Sequence, residues 1–143
     1  MKHKLLQSLM LIAALLTCTH AYAHDFEAQN SDGVTIYYNI TSSTNKTCEV
    51  TFQGSSYDSY SNEYTGSIVI PETVTYNGTT YSVTSIGWYA FDGCSSLTAI
   101  KVGTGNSKYD SRNNCNAIIE TSTNTLIAGC KNTIIPNSVT SIG

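Results

Sequence analysis

Short runs of β-branched and aromatic residues, separated by polar stretches, fill the chain from residue 34 onward. Two of these runs, VTIYYNI at 34–40 and TCEVTFQ at 47–53, flank the polar stretch SSTN at 42–45. Runs of about four to eight such residues, joined by a short turn-forming stretch, are typical of paired β-strands. The pattern predicts an antiparallel hairpin over residues 34–53.

A second hairpin is predicted a little further along. The apolar run SIVI at 67–70 is stopped by Pro71, which lacks a backbone N–H and belongs at the end or edge of a strand. Asn77-Gly78 then separates the strand-like segments 74–76 and 79–83. Because Asn-Gly readily adopts the left-handed backbone that a two-residue hairpin turn needs, these two segments are expected to pair.

The stretch between the two predicted hairpins, GSSYDSYSNEYTG at 54–66, is polar and has glycine at both ends. This composition predicts a surface loop. Its three tyrosines, Tyr57, Tyr60 and Tyr64, are candidates for contact with a ligand, since tyrosine offers a broad amphipathic surface at small entropic cost. The alternative is that they lie over the neighbouring sheet as packing residues.

The hexapeptide SVTSIG occurs twice, at 82–87 and at 138–143, and each copy follows an Ile-Pro step, at 70–71 and at 135–136. Internal repetition is a mark of repeat proteins. The apolar positions in 85–102 have a spacing that is neither helical nor strictly alternating. Mixed spacing suits a solenoid, in which stacked coils share one core.

These residues carry a resemblance to a known family. IPxxV followed by SVTSIGxxAFxGCSSLTxI is similar to the repeat of the BspA-like leucine-rich-repeat surface proteins of anaerobic commensal bacteria, closely over 82–102 and in part over 134–143. The resemblance implies a mainly β fold, a leucine-rich-repeat solenoid with an N-terminal β-hairpin cap. The positions that match the family pattern are Ile86, Gly87, Ala90, Phe91, Gly93, Cys94, Leu97 and Ile100.

The resemblance also implies roles for particular side chains. Trp88 and Tyr89 occupy variable repeat positions that usually point outward, which makes them further candidates for ligand contact. The repeat core is expected to comprise Ile86, Ala90, Phe91, Cys94, Leu97 and Ile100.

The segment 106–135 departs from the plain repeat and is similar to a hairpin-bearing variant of the same family. The loop of this hairpin would centre between Ser122 and Thr123. A shift of the pairing by one residue would change every cross-strand pair. The expected pairs are Ile119 with Leu126, Ile118 with Ile127, and Cys115 with Cys130.

The cysteines leave two readings open. Four follow residue 23, an even number that permits disulfides in an exported chain, although their pairing is not resolved by sequence. The alternative is that they serve as small buried apolar side chains. Cys115 and Cys130 are the candidate disulfide, whereas Cys94 is expected to be buried and unpaired. Zinc is disfavoured, since the chain after residue 23 has no C-x-x-C pair and only one histidine, His24.

The N-terminus has the pattern of a signal peptide, in which KHK at 2–4 precedes an apolar run at 9–16 that closes on AYA at 21–23. The run is too short to span a bilayer, so we expect no transmembrane span. The alternative is lipoprotein processing at Cys18, which would anchor the protein through acyl chains. Either route predicts a secreted or cell-surface protein.

Removal of residues 1–23 takes away two of the seven basic residues and none of the ten acidic ones, which leaves a net charge of −5. This sign argues against nucleic acid and anionic membranes as partners. The remaining length suits one domain. Within it we expect a β-rich N-terminal cap region at 24–81 and BspA-like leucine-rich repeats at 82–143, incomplete at the C-terminus.

Little in the chain points to catalysis. A nucleophilic Ser or Cys needs a base, and His24 is the only histidine after residue 23. Acids at 92, 110 and 120 lie in turn or repeat contexts that explain them without a glycosidase pair. The stretch DSRNN at 110–114 lacks the EF-hand spacing, so Asx-turns are favoured over calcium. We expect no enzyme activity, no metal site and no cofactor.

The expected function is a non-catalytic, exported binding or adhesion module that acts through its leucine-rich-repeat surface on an extracellular protein or host-matrix ligand. The alternatives are a structural spacer or cap of a larger surface protein, and carbohydrate binding by the tyrosine-rich loop. The second SVTSIG copy lacks the continuation that follows the first. Val139 and Ile142 are therefore expected at an open end, so that residues 24–143 are either marginally stable or self-associate through this end.

Overall fold

The computed structural model describes residues 24–143. The predicted signal segment, with the alternative processing site at Cys18, lies outside the described residues. Within them the fold is mainly β, as predicted, with almost no helix. The strands are β1 (Phe26–Gln29), β2 (Thr35–Ser42), β3 (Thr47–Thr51), β4 (Gly66–Ile70), β5 (Thr73–Tyr76), β6 (Thr79–Ile86), β7 (Leu97–Val102), β8 (Tyr109–Asp110), β9 (Ala117–Glu120), β10 (Thr125–Gly129) and β11 (Ser141–Ile142), and one short 3₁₀ helix covers Arg112–Asn114.

Five strands form the largest sheet, in the order β1-β2-β3-β6-β5. The hairpin predicted over 34–53 is confirmed, since β2 and β3 pair antiparallel with Tyr38 opposite Val50. The hairpin at Asn77-Gly78 is confirmed as well, because β5 and β6 pair antiparallel across it. Both turn residues have positive φ, 48° and 76°. Asn and Gly are the residues that tolerate this conformation best.

Parallel pairing of β3 with β6 joins the two hairpins into one sheet. The sheet is nearly closed, and Phe26 of β1 stacks on Tyr76 of β5 with the ring centroids 4.5 Å apart. Phe26 also stacks on Tyr38, at 5.1 Å. Aromatic contacts therefore link the two outer strands, whose edges would otherwise be open to pairing with another chain.

The segment after the polar loop contributes a two-stranded sheet. Its first strand, β4, covers the apolar run predicted at 67–70 and ends just before Pro71. It pairs parallel with β7, and Ile68 lies opposite Ile100. The chain returns beside β7, where the backbone N–H of Lys131 donates to the carbonyl oxygen of Leu97 at 3.2 Å.

The remaining strands form a four-stranded sheet in the order β11-β10-β9-β8. The predicted hairpin is present, as β9 and β10, and Ile119 lies opposite Leu126 as expected. The predicted pairing of Ile118 with Ile127 is wrong. A bulge after Leu126 shifts the register, so that Ile118 lies opposite Ala128. An extra residue in one strand of an antiparallel pair has this effect, and polar or apolar patterning does not reveal it.

The candidate disulfide between Cys115 and Cys130 is not formed, since both are free thiols. The strand pairing ends at Ala117 and Gly129, before it reaches either cysteine. Beyond that point Cys115 is buried in a small cluster that includes Ile119, whereas Cys130 packs against the main core. The two thiols thus serve different clusters, consistent with the alternative of small buried side chains.

The main core gathers side chains from the five-stranded sheet, from β4 and β7, and from β9. All six positions expected in the repeat core belong to it or pack against it. Ala90, Leu97 and Ile100 are buried, while Ile86, Phe91 and the free thiol Cys94 are half-buried against the same cluster.

Candidate binding surface

The polar stretch between β3 and β4 is a loop, as predicted, but its tyrosines divide into two kinds. Tyr57 and Tyr60 are exposed. Tyr64 is only 1 % exposed and belongs to the main core. The expectation that Tyr64 contacts a ligand is therefore wrong, and the alternative, that it packs over the neighbouring sheet, is correct for this residue.

Tyr64 is buried because its hydroxyl group finds two backbone partners inside the protein. The hydroxyl donates to the carbonyl oxygen of Thr51 at 2.7 Å and accepts from the backbone N–H of Tyr37 at 3.2 Å. A buried tyrosine needs such partners for its polar end. Burial raises the pKa of the Tyr64 hydroxyl well above its ordinary range, so this group stays protonated. Tyr64 fastens the loop to the sheet.

Trp88 and Tyr89 lie in the turn that follows the first SVTSIG copy. Trp88 is 85 % exposed, and Tyr89 is exposed as well. Tyr89 stacks on Tyr57, with the ring centroids 4.3 Å apart, and Trp88 meets the edge of Tyr89 at 6.3 Å. Two sequence segments that are separated by three strands thus supply one continuous patch. We call Tyr57, Trp88 and Tyr89 the aromatic surface.

The backbone of Tyr89 adopts a left-handed conformation, with φ of 62°. For a bulky residue this conformation is an outlier with an energetic cost on the order of 1–2 kcal/mol, and such outliers concentrate at functional sites. The stack on Tyr57 is one contact that holds the side chain in this position.

Asn62 fixes the loop against the turn, so that the aromatic surface has a defined shape. Its side-chain oxygen accepts from the backbone N–H of Ser96 at 2.8 Å and from the hydroxyl of Ser95 at 3.2 Å. Its own N–H donates to the carbonyl of Gly93 at 3.3 Å. Tyr60 stands apart from the stack and packs across Gly54, where a side chain would collide with its ring.

A groove of about 620 Å³ runs beside the aromatic surface. One wall is the turn itself, residues 86–92, and the rest is formed by Ile127 and Ala128 of β10 together with Gly143. Most of these wall residues are apolar, so the groove offers a place where an apolar group of a ligand loses contact with water. That β10 lies against the turn could not be predicted, because the pattern of polar and apolar residues does not encode the bulge that places Ala128.

The charged side chains of the loop and of the adjoining turn are all acidic, namely Asp58, Glu63 and Asp92. Both carboxylate oxygens of Glu63 are buried without a well-formed hydrogen bond. Burial and the charge of Asp92 raise the pKa of Glu63, and a nearby backbone amide at Gln53 offsets this only in part. Burial likewise raises the pKa of Cys94. A cation or a neutral apolar group is therefore favoured over an anion at this surface.

No protein-family model, curated protein or solved structure matches the chain.

The Asp110–Arg112 pair and the Cys48 thiol lie outside the aromatic surface. Arg112 holds Asp110 in a two-pronged pair, 2.8 and 2.7 Å, that lowers the pKa of the carboxyl. The backbone N–H of Arg112 also donates to Asp110, the Asx-turn weighed against calcium above. Burial raises the pKa of the Cys48 thiol to about 12, which makes it a poor nucleophile.

Residues 24–143 contain no group of three or more His, Cys, Asp and Glu side chains that could hold a metal ion. The same residues include no helix with the length and apolar character needed to cross a membrane.

Proposed function

We propose that the protein is a non-catalytic binding module of the cell exterior and that the aromatic surface is where it contacts its ligand, an extracellular or host-matrix protein. The observation that carries this proposal is the exposure of Trp88, 85 %, beside the stacked pair Tyr57 and Tyr89. Large aromatic side chains are rarely left exposed together without a binding role. Tryptophan and tyrosine are also the residues that most often dominate the energy of protein interfaces.

The aromatic surface is ordered before a ligand arrives. The stack of Tyr57 on Tyr89 and the hydrogen bonds of Asn62 hold the loop and the turn together. A surface that is already ordered loses less conformational entropy on binding, so more of its contact energy remains as affinity. The adjacent groove would take an apolar side chain of the ligand.

We further propose that the fold is the N-terminal part of a BspA-like leucine-rich-repeat protein, in which β1 to β3 form the cap and residues 82–102 form one repeat coil. Two features support this. β4 and β7 pair in parallel, as corresponding strands of successive coils do. The two SVTSIG copies each end in a strand that pairs in parallel with the second strand of a hairpin. Export by residues 1–23 would place the protein in the medium or on the cell surface.

The proposal is tested by measuring binding of residues 24–143 to immobilised matrix proteins, with Trp88→Ala and Tyr89→Ala as variants. Each variant should weaken saturable binding by about tenfold or more, the effect of losing an interface residue worth about 1.4 kcal/mol. The matched control is Tyr60→Ala, at an exposed tyrosine that lies in the loop of Tyr57 but outside the aromatic surface, which should change the affinity less than about twofold.

A glycan array on the same variants separates a second candidate function. Carbohydrate binding is favoured by one observation, the open indole of Trp88, since sugars stack on exposed aromatic faces. If the protein binds glycans, and if Trp88→Ala loses this binding while Tyr60→Ala keeps it, the ligand is a sugar rather than a protein. If neither the matrix proteins nor the glycans bind, the binding proposal is wrong and the role of a structural spacer is supported. If Tyr60→Ala weakens binding as much as Trp88→Ala does, the aromatic surface is not the binding site.

A further inference from the structure

Charged residues are distributed unevenly along residues 24–143. The first part, residues 24–100, contains eight acidic residues and a single basic one, Lys46, whereas residues 101–143 contain two acidic and four basic residues. No lysine or arginine lies between Lys46 and Lys101, and this stretch includes both segments that supply the aromatic surface. The negative charge of the protein therefore belongs to the part of the chain that carries the aromatic surface.

Two exposed carboxylates border the aromatic surface. Asp58 follows Tyr57 in the loop, and Asp92 lies in the turn, where its backbone N–H donates to the carbonyl oxygen of Tyr89 at 3.0 Å. The side chains of both aspartates are exposed. Within residues 24–143, neither of them forms an ion pair with a basic side chain. Their charge is thus available to a group that approaches from solvent.

Trp88 adds an open aromatic face to these charges. Its side chain is 85 % exposed, and its contact with Tyr89 is edge-on, with an angle of 60° between the rings, so the faces of the indole stay largely uncovered. The face of an aromatic ring attracts a cation that lies within about 6 Å of the ring centre, and tryptophan does so best. The indole and the two carboxylates therefore favour the same kind of group, a cation.

We propose that the aromatic surface binds a cationic side chain, an arginine in a basic segment of an extracellular protein. This inference rests on the proposed function and adds the chemistry of the group that is recognised. The planar guanidinium lies on the indole of Trp88, and the carboxylates of Asp58 and Asp92 at the border of the same surface attract its charge.

The chemistry of this surface favours arginine over other side chains. A guanidinium is flat and weakly hydrated, so it stacks on an aromatic ring and gives up water more readily than the compact ammonium of lysine. An apolar side chain would contact the same rings, but it would gain nothing from the carboxylates and would remove water from them. An acidic segment would be repelled.

A fluorescently labelled peptide of four Gly-Arg repeats is the probe, and its anisotropy measures binding to residues 24–143. Two peptides of the same length are compared with it, one with lysine in place of arginine and one with citrulline, the uncharged analogue of arginine. We expect the arginine peptide to bind most tightly and the citrulline peptide about tenfold more weakly. Trp88 is the single tryptophan of the chain, so a change in its fluorescence on addition of the unlabelled peptide locates the contact.

Four variants test which residues are responsible. Asp58→Asn and Asp92→Asn each remove one charge beside the aromatic surface and should weaken the arginine peptide about two- to fivefold at low ionic strength, a difference that about 1 M salt abolishes. Trp88→Ala should weaken it about fivefold or more. The matched control, Asp32→Asn, removes one charge from an exposed aspartate in the turn between β1 and β2 and should change the affinity less than about 1.5-fold. Circular dichroism establishes that all four variants are folded.

The inference is overturned if the lysine or the citrulline peptide binds as tightly as the arginine peptide. It is also overturned if Asp32→Asn weakens binding as much as Asp92→Asn does, because the net charge of the protein would then be the cause. Failure of this inference is distinguishable from failure of the proposed function.

If matrix-protein binding is lost in Trp88→Ala but is unaffected by salt and by both Asp58→Asn and Asp92→Asn, the aromatic surface remains the binding site and the cationic group is excluded. If the arginine peptide binds at Trp88 as expected and no matrix protein binds, the preference for arginine is supported and the proposed protein ligand is wrong.

Discussion

The two copies of SVTSIG have the same six residues and the same local pairing. In the first copy, Ile86 lies opposite Val50 and the N–H of Gly87 donates to the Val50 carbonyl at 2.7 Å. In the second, Ile142 lies opposite Leu126 and the N–H of Gly143 donates to the Leu126 carbonyl at 2.9 Å. Each copy therefore docks in parallel on the second strand of a hairpin.

Their surroundings differ. The first copy belongs to β6, which has a neighbouring strand on both sides, and Val83 is only 2 % exposed. The chain then continues through Ala90 into β7, which covers the core from the other side. The second copy forms the outer strand of a smaller sheet, and Ile142 is mostly exposed. The hexapeptide thus determines which backbone groups pair, while the segments around it determine how much of it is buried.

The largest expected contrast comes from shortening the equivalent valine in each copy. Val83→Ala removes two methyl groups from the main core and should lower the free energy of unfolding by about 2 kcal/mol. Val139→Ala acts on a half-buried side chain at the small cluster and should cost less than about 1 kcal/mol. Urea denaturation measures both. Equal losses would mean that the second copy is as well covered as the first.

Glu63 lies near Asp92, in the segment that continues the first copy, and its carboxylate links the stability of this region to pH. Because burial raises the pKa of Glu63 in the folded protein, folding favours its protonated form. The stability linked to this group is therefore present below the ordinary pKa of a glutamate and is lost as pH rises through the raised value. Glu63→Gln should remove that dependence and stabilise the protein near neutral pH by up to about 1 kcal/mol, since the side chain is only half-buried.

Unfolding of wild type and Glu63→Gln by urea at several pH values measures the difference. The two proteins should converge at acidic pH, where Glu63 is protonated. Asp58→Asn, at an exposed acid of the same loop, is the control and should follow wild type within about 0.5 kcal/mol. A difference between Glu63→Gln and wild type that does not vary with pH would show that the carboxylate is not the cause.

The smallest contrast lies at the two glycines that end the copies. A Cβ at Gly87 would meet the Val50 carbonyl oxygen at 3.1 Å, tighter than usual, whereas at Gly143 the nearest atom is 3.5 Å away, on the side chain of Thr125. Gly87→Ala should therefore destabilise the protein by about 0.5–1 kcal/mol, and Gly143→Ala should be neutral within about 0.5 kcal/mol. Thermal unfolding of the two variants against wild type decides this. If Gly87→Ala leaves the stability unchanged, the backbone of β3 at Val50 shifts easily to accommodate the added methyl group.

Local patterns predicted the elements whose cause is local. Asn77-Gly78 encodes its hairpin because both residues accept positive φ, and Pro71 marks the end of β4 because it has no N–H for a ladder. The six apolar positions expected in the repeat core were found in or against the main core, on the strength of a resemblance rather than of periodicity.

Features that depend on distant partners were missed. Tyr64 stands in a polar loop like Tyr57, and only the backbone groups of Thr51 and Tyr37, brought close by the fold, draw it inside. The bulge after Leu126 changes one pair of the third hairpin, and the alternation of polar and apolar residues does not reveal it. Of the candidate contacts, the sequence identified the aromatic types, but not that Tyr57 would stack on Tyr89.

The parallel pairing of β3 with β6 also bears on the speed of folding. Cys48 and Ser82 touch across this ladder although 34 positions separate them in the sequence. The chain between them must close into a loop, at a cost in entropy, before the hydrogen bonds of this ladder can form. Hairpins form within about 1–10 µs, so this closure is expected to be the slower step. We expect the hairpins to appear first and the sheet to close over milliseconds to seconds, as in other chains dominated by distant contacts. During that interval β6, which later has a neighbouring strand on both sides, exposes unpaired backbone groups to which a foreign strand can bind.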